Sequence, residues 1–251
     1  MDRAQGNGGH RAIRRDPRLL AAILALGLIG VASLLLMPLE RLVPGGGVLR
    51  PVLVIQPAIL VAGTALLGWW AAPKAGLGAP ILAALVRRQP FGALLRAAAP
   101  AIGLVSLASA VVLLVYAAAS AGVLAASPTA DLPQPLAARM LYGGLSEEVI
   151  ARWGLLSAVM LGLLRLLPRR AAFWTANGVA ARLFALGHFG VLFAVVPDPP
   201  AWLRGAVLLG NMVPGLLFGW LFMRHGLLAA MLGHAGTHLL AYAGLALSGF
   251  G

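Results

Sequence analysis

Read from its N-terminus, the chain alternates long apolar runs with short polar connections. Uncharged runs occupy residues 19–39, 52–72, 97–126, 205–223 and 226–247, and two further apolar runs, 138–164 and 172–196, are interrupted by charge. Each is near or above the roughly 20 residues that a helix needs to cross the hydrocarbon core of a bilayer. The pattern predicts an all-α, polytopic membrane bundle of about seven transmembrane helices. Between the second and third runs, PILAALVRRQPFGALLRAA mixes apolar residues with Arg87, Arg88 and Arg96, the composition of an interfacial helix, or of a plain cytoplasmic loop, within a segment 74–97.

Composition closes off the soluble alternatives. The chain is 61% hydrophobic and only 10% charged, too few charges to cover its surface in water. Its 32 glycines and 17 prolines suit packed membrane helices. Cysteine is absent, which rules out a disulfide framework and a Cys-ligated metal.

A formal net charge of +12 would point to nucleic acid in a soluble protein, so the position of the charges has to decide. They lie between the apolar runs. Arg3, Arg11, Arg14, Arg15 and Arg18 precede the first, Lys74, Arg87, Arg88 and Arg96 follow the second, Arg165, Arg169 and Arg170 follow the fourth, and Arg224 follows the sixth. The alternate connections hold Glu40, Arg41 and Arg50, then Asp131, then Asp198 and Arg204. By the positive-inside rule the arginine-rich set is cytoplasmic, which puts the N-terminus inside and makes the basic excess a topology signal. The first run has a basic flank but is longer than a signal-peptide core and lacks an A-x-A site, so it reads as an uncleaved helix. The expected organisation is a basic cytoplasmic arm (1–17), N-terminal transmembrane helices (18–130) and a C-terminal helical core (131–251). The Ala, Arg, Gly and Leu bias points to a bacterial inner (cytoplasmic) membrane, with the bilayer as partner and nucleic acid excluded.

The chemistry concentrates in LYGGLSEEVIARWGLL, residues 141–156, which spends two of the chain's seven acidic residues side by side in an apolar run. Glu147 lies about 14 Å into its span at helical rise, where a carboxylate is costly unless it is paired or faces a watery cavity. On an α-helical wheel Glu148 and Arg152 are about 40° apart and able to pair, whereas Glu147 and Arg152 are about 140° apart. Arg152 is therefore expected to neutralise Glu148 and leave Glu147 facing something else. Three of the five histidines supply partners at a similar depth: His188 in FALGH, and His234 and His238 four apart in HAGTH. An ion pair that merely ties two helices together explains Glu148 and Arg152 but leaves Glu147 idle. Intramembrane Glu, Arg and His also mark ion pathways, so a transporter is the rival reading, and a catalytically inactive membrane scaffold is a third.

Three other groups have structural readings. Arg182 snorkels or pairs with Glu148. Asn211 and Pro214 mark a hydrogen-bonded kink. Trp69, Trp70, Trp174 and Trp202 sit near span ends as interfacial anchors.

In order along three predicted helices, E-E-x-x-x-R (Glu147, Glu148, Arg152), F-x-x-x-H (Phe184, His188) and H-x-x-x-polar (His234, His238) resemble the motifs of the CPBP family. These are the Abi or CAAX-protease-like intramembrane endopeptidases. The similar region spans roughly 138–240, and it departs from the commonest pattern at His238, where the family more often has Asn or Asp. The resemblance implies hydrolysis of a peptide bond in a membrane-associated protein or peptide. In that reading Glu147 and His188 activate water, His234 and His238 bind the developing oxyanion, and Glu148 and Arg152 orient the site. The resemblance also carries a metalloprotease version, in which His188, His234, His238 and Glu147 hold zinc. The metal-free version, with no cofactor, is the favoured expectation.

Overall fold

The computed structural model describes residues 16–42, 49–127 and 130–248; most of the basic arm, His10 included, lies outside them. Among the described residues the chain is helical and contains no strand. We label the helices α1 (Pro17–Ser33), α2 (Ile55–Ala71), α3 (Pro80–Val86), α4 (Gly92–Ala125), α5 (the run 136–163), α6 (Arg169–Gly187), α7 (Phe189–Val195), α8 (Ala201–His225) and α9 (Leu227–Ser248). Asp16 caps α1, its carboxylate accepting from the Arg18 N–H at 3.0 Å, and Pro17 follows in the first turn, where its missing N–H costs nothing.

Five helical segments are long and apolar enough to cross a membrane: Pro17–Leu36, Arg50–Ala71, Gly92–Ala125, Arg169–Val195 and Ala201–His225. The other two expected spans, 138–164 and 226–247, are also helical, as α5 and α9, but fall outside that set because they carry the charges and histidines of the motifs. The apolar side chains that remain exposed on the others, such as Ile59, Leu104, Leu107 and Val115, form the lipid-facing surface of a bundle that is inside out by soluble standards. Within the expected interfacial segment only Pro80–Val86 is a separate helix. Its Ile81, Leu82 and Ala84 are buried against the bundle, and residues 92–97 begin α4.

Helix α5 is the hub, and three of its polar side chains each clasp a backbone carbonyl on a different neighbour. Ser146 donates to Gly27 O on α1 (2.8 Å), Trp153 Nε1 to Ala65 O on α2 (3.0 Å), and Arg152 Nη2 to Gly215 O on α8 (2.8 Å). With no hydrophobic force between helices in lipid, such bonds and close packing hold the bundle, at about 0.6 kcal/mol per bond on average. Small residues permit the approach: a Cβ on Gly30 would collide with Ser146, and one on Gly68 with Trp153.

The arginine-rich connections gather at one end of the bundle. Arg87 pairs with Asp16 (2.9 Å), Arg169 donates to Ala75 O and Gly76 O (2.9 Å each), and the α8–α9 turn reaches the same loop through Leu227 N to Gly78 O (3.2 Å). The opposite end is tied by Arg41 to Asp131 (2.9 Å) and Arg50 Nε to Glu40 (2.8 Å), the latter pair holding the Glu40 carboxyl down to about 2. Trp70 and Trp174 at the first end and Trp202 at the second are each partly exposed, as interfacial anchors would be.

Candidate active site

The site is built on the most irregular helix of the fold. Across Arg139–Glu147 and Val149–Leu156, α5 is wound with wide i→i+5 turns, a form that is rare and recurs at functional sites. The regular α-helical wheel expected here is thus corrected to a wider one, yet the expected pair forms: Arg152 Nη1 lies 2.9 Å from Glu148 Oε1, with both side chains buried. Arg152 is also packed against two aromatic rings, its guanidinium carbon 5.0 Å from the Phe184 centroid and 5.4 Å from that of Phe218. Arg182 does not share this role. It is exposed on α6, and the partners of Glu148 are Arg152 and His234.

His234, on α9, presents Nδ1 to Glu148 Oε1 at 2.9 Å. Glu148 is engaged by the Arg152 cation as a carboxylate, so it accepts and Nδ1–H donates. Nε2 of the same ring then points at Glu147, 3.8 Å from Oε2. Phe218 stacks on this ring at 4.4 Å and 18°, and His238 stacks on its far side at 5.1 Å and 25°. The turn of α9 thus delivers two imidazoles in register, as four-residue spacing on one helix face should.

His188 sits at the junction where α6 ends and α7 begins. Its Nδ1 lies 3.0 Å from Phe184 O. A carbonyl can only accept, so Nδ1 carries the proton and Nε2 is left facing Glu147 Oε1 at 3.9 Å. Phe184 fixes the ring further by an edge contact at 4.7 Å and 72°. The F-x-x-x-H spacing therefore has a mechanical meaning: one turn before the histidine, the same residue supplies a carbonyl and a ring to orient it.

The two glutamates end up with different surroundings. Glu148 is fully buried and held by Arg152 and His234. Glu147 is partly accessible, with a side chain 16% exposed, and faces two imidazole nitrogens at distances too long for direct hydrogen bonds but short enough to be bridged by one water.

Gly143 completes the pocket. A Cβ built there would lie 2.8 Å from His238 Nε2 and 3.1 Å from His234 Nε2, so the missing side chain leaves an atom-sized seat within hydrogen-bond range of both rings. Its neighbour Gly144 lets α5 close on α9, where a Cβ would meet Ala235 and Met231 O. Sequence reasoning passed over Gly143 and Phe218. Paired glycines inside an expected helix carry a propensity cost and so point to a close approach, whereas nothing in the sequence singled out Phe218 from other core aromatics.

Of the six expected site residues, the fold brings Glu147, Glu148, Arg152, His188, His234 and His238 to one locus. Their donor types suit zinc, but among the described residues no group of three or more His, Asp or Glu side chains is arranged to hold a metal ion. Asn211 is occupied within its own helix, donating to Val207 O at 2.8 Å three residues before the buried Pro214.

Comparison with known proteins adds one finding. Residues 129–240 match the family model described as Type II CAAX prenyl endopeptidase Rce1-like. No curated protein and no solved structure matches the chain. The matched segment contains every residue of the site just described, and over that segment the chain is similar to the CPBP, or CAAX-protease-like, family of membrane endopeptidases.

Proposed function

We propose that the protein is a metal-free intramembrane endopeptidase in which Glu147 activates water against a peptide bond of a membrane-associated protein or peptide. The observation that carries this reading is the division of the glutamates: Glu148 is consumed by Arg152 and His234, while Glu147 faces Nε2 of both His188 and His234. A water between Glu147 and His188 would donate one hydrogen to each, since His188 presents a lone pair there.

As Glu147 takes one of those protons, the water oxygen bonds to the scissile carbonyl carbon, and the carbonyl oxygen becomes an oxyanion. The seat before Gly143 receives it. His238 Nε2 donates to it in the tautomer that carries the proton there, and His234 adds a second donor only when both of its ring nitrogens are protonated. Glu147 then returns its proton to the amide nitrogen as the C–N bond breaks, which releases an amine and a carboxylic acid and restores the carboxylate. Buried donors of this kind are worth about 3–4 kcal/mol each in transition-state stabilisation.

The arginine-rich end of the bundle faces the cytoplasm in this proposal, which puts the N-terminus inside a bacterial inner membrane. The deciding experiment is substrate capture. Glu147→Gln, purified with a crosslinker from cells, should retain an uncleaved membrane-associated protein that the wild-type protein converts to two fragments. Recovery of an intact partner from both forms, with no cleavage by either, would favour a scaffold.

A further inference from the structure

Besides the proposed active site, the described residues form a half-open cavity of about 500 Å³ at the arginine-rich end of the bundle. It lies between the 76–90 segment, the start of α4 and the α8–α9 turn, with Leu19 of α1 as a further wall. The turn is held shut by geometry: Gly226 has φ +86°, a Cβ there would collide with Pro80, and Leu227 N bonds Gly78 O. The walls are of two kinds. Leu19, Leu77, Leu94, Phe222 and Met223 are apolar, while Arg87, Gln89, Arg224 and His225 bring cations and hydrogen-bond donors to the rim. Arg87 holds the Asp16 carboxylate at 2.9 Å, and Arg224 pairs with no carboxylate among the described residues.

A concave site with a cationic rim and apolar walls, at the end of the bundle where the arginines gather, has the two-part chemistry of a phospholipid: a phosphate for Arg224 and Arg87, and a glycerol-acyl portion for the walls. A free phosphate would satisfy the rim but leave the walls unused. We propose that this cavity binds the headgroup phosphate of an anionic phospholipid, which staples the 76–90 segment to the α8–α9 turn.

The inference does not depend on the endopeptidase reading, and its test needs no substrate. The purified full-length protein in a neutral detergent is titrated with phosphatidylglycerol, with phosphatidylcholine and with inorganic phosphate, and thermal unfolding is followed. Phosphatidylglycerol should raise the midpoint saturably, and the other two should leave it in place. Arg224→Gln should weaken the apparent affinity about five-fold, and Arg87→Gln should do the same. Arg170→Gln, at the same end but outside the cavity, should leave it unchanged. An equal response to phosphatidylcholine or to phosphate alone, or an equal loss in Arg170→Gln, would overturn the proposal. Should Arg87→Gln unfold through loss of its Asp16 partner, the Arg224→Gln and Arg170→Gln comparison decides alone.

Discussion

His234 Nδ1 lies 2.9 Å from Glu148 Oε1, and through that bond the buried glutamate sets which nitrogen of the ring faces Glu147. A carboxylate that accepts from one ring nitrogen fixes the histidine's tautomer and the orientation of its ring. In the proposed mechanism Glu148 is therefore a positioning residue, with its own anchor in Arg152.

The division between the two glutamates predicts different losses. Glu147→Gln should lower turnover by about 10²–10⁴-fold while the thermal unfolding midpoint in detergent is kept. Glu148→Gln and Arg152→Ala break a buried pair, so they should destabilise the fold by about 3–5 kcal/mol, with a smaller loss of turnover per folded molecule. Unfolding curves and turnover normalised to folded protein check this. Equal, purely catalytic losses in Glu147→Gln and Glu148→Gln would contradict it.

Gly143→Ala places a methyl in the proposed oxyanion seat. Alanine is a better helix former than glycine by about 0.5–1 kcal/mol, so a loss of activity without a loss of stability would isolate the steric effect. Turnover should fall at least 10-fold with substrate capture retained. Gly162→Ala and Gly178→Ala, where a Cβ meets nothing within 4 Å, should behave as wild type. Full activity in Gly143→Ala would move the oxyanion elsewhere.

His238 tests the metal question. As an oxyanion donor it can be replaced by the family's commoner residue, so His238→Asn should keep activity within about 10-fold and respond little to chelators. As a zinc ligand at about 2.0–2.1 Å it could not, and metal content and turnover should fall together. Metal analysis of both proteins, with and without chelator, separates the two. A stoichiometric zinc lost in His238→Asn would overturn the metal-free mechanism.

Orientation follows from the two ends of the bundle. Reporters fused after Arg170, in the first turn of α6, and after Asp198, beyond α7, should report opposite compartments, with the first cytoplasmic. Cytoplasmic signal from both would remove α6–α7 as a spanning unit and the topology with it.

Much of this protein is legible in its sequence because it depends on local chemistry. Run lengths and charge placement carry the helical membrane class, and the spacing of Glu148 and Arg152 carries their pair, since neighbours on one helix meet whatever surrounds them. The ordered motifs at Glu147, His188, His234 and His238 announce a shared site. Other features are products of packing. Two of the seven expected spans, α5 and α9, are less apolar than the other five because they carry the site, and the wide turns of α5 arise where Ser146, Arg152 and Trp153 reach carbonyls on three different helices. The exposure of Arg182, the stacking of Phe218 on His234, the seat before Gly143 and the choice of ring nitrogen turned to Glu147 depend on residues dozens of positions apart. Periodicity places a residue on a face, but the partner waiting on that face belongs to another helix and is set only when the bundle closes.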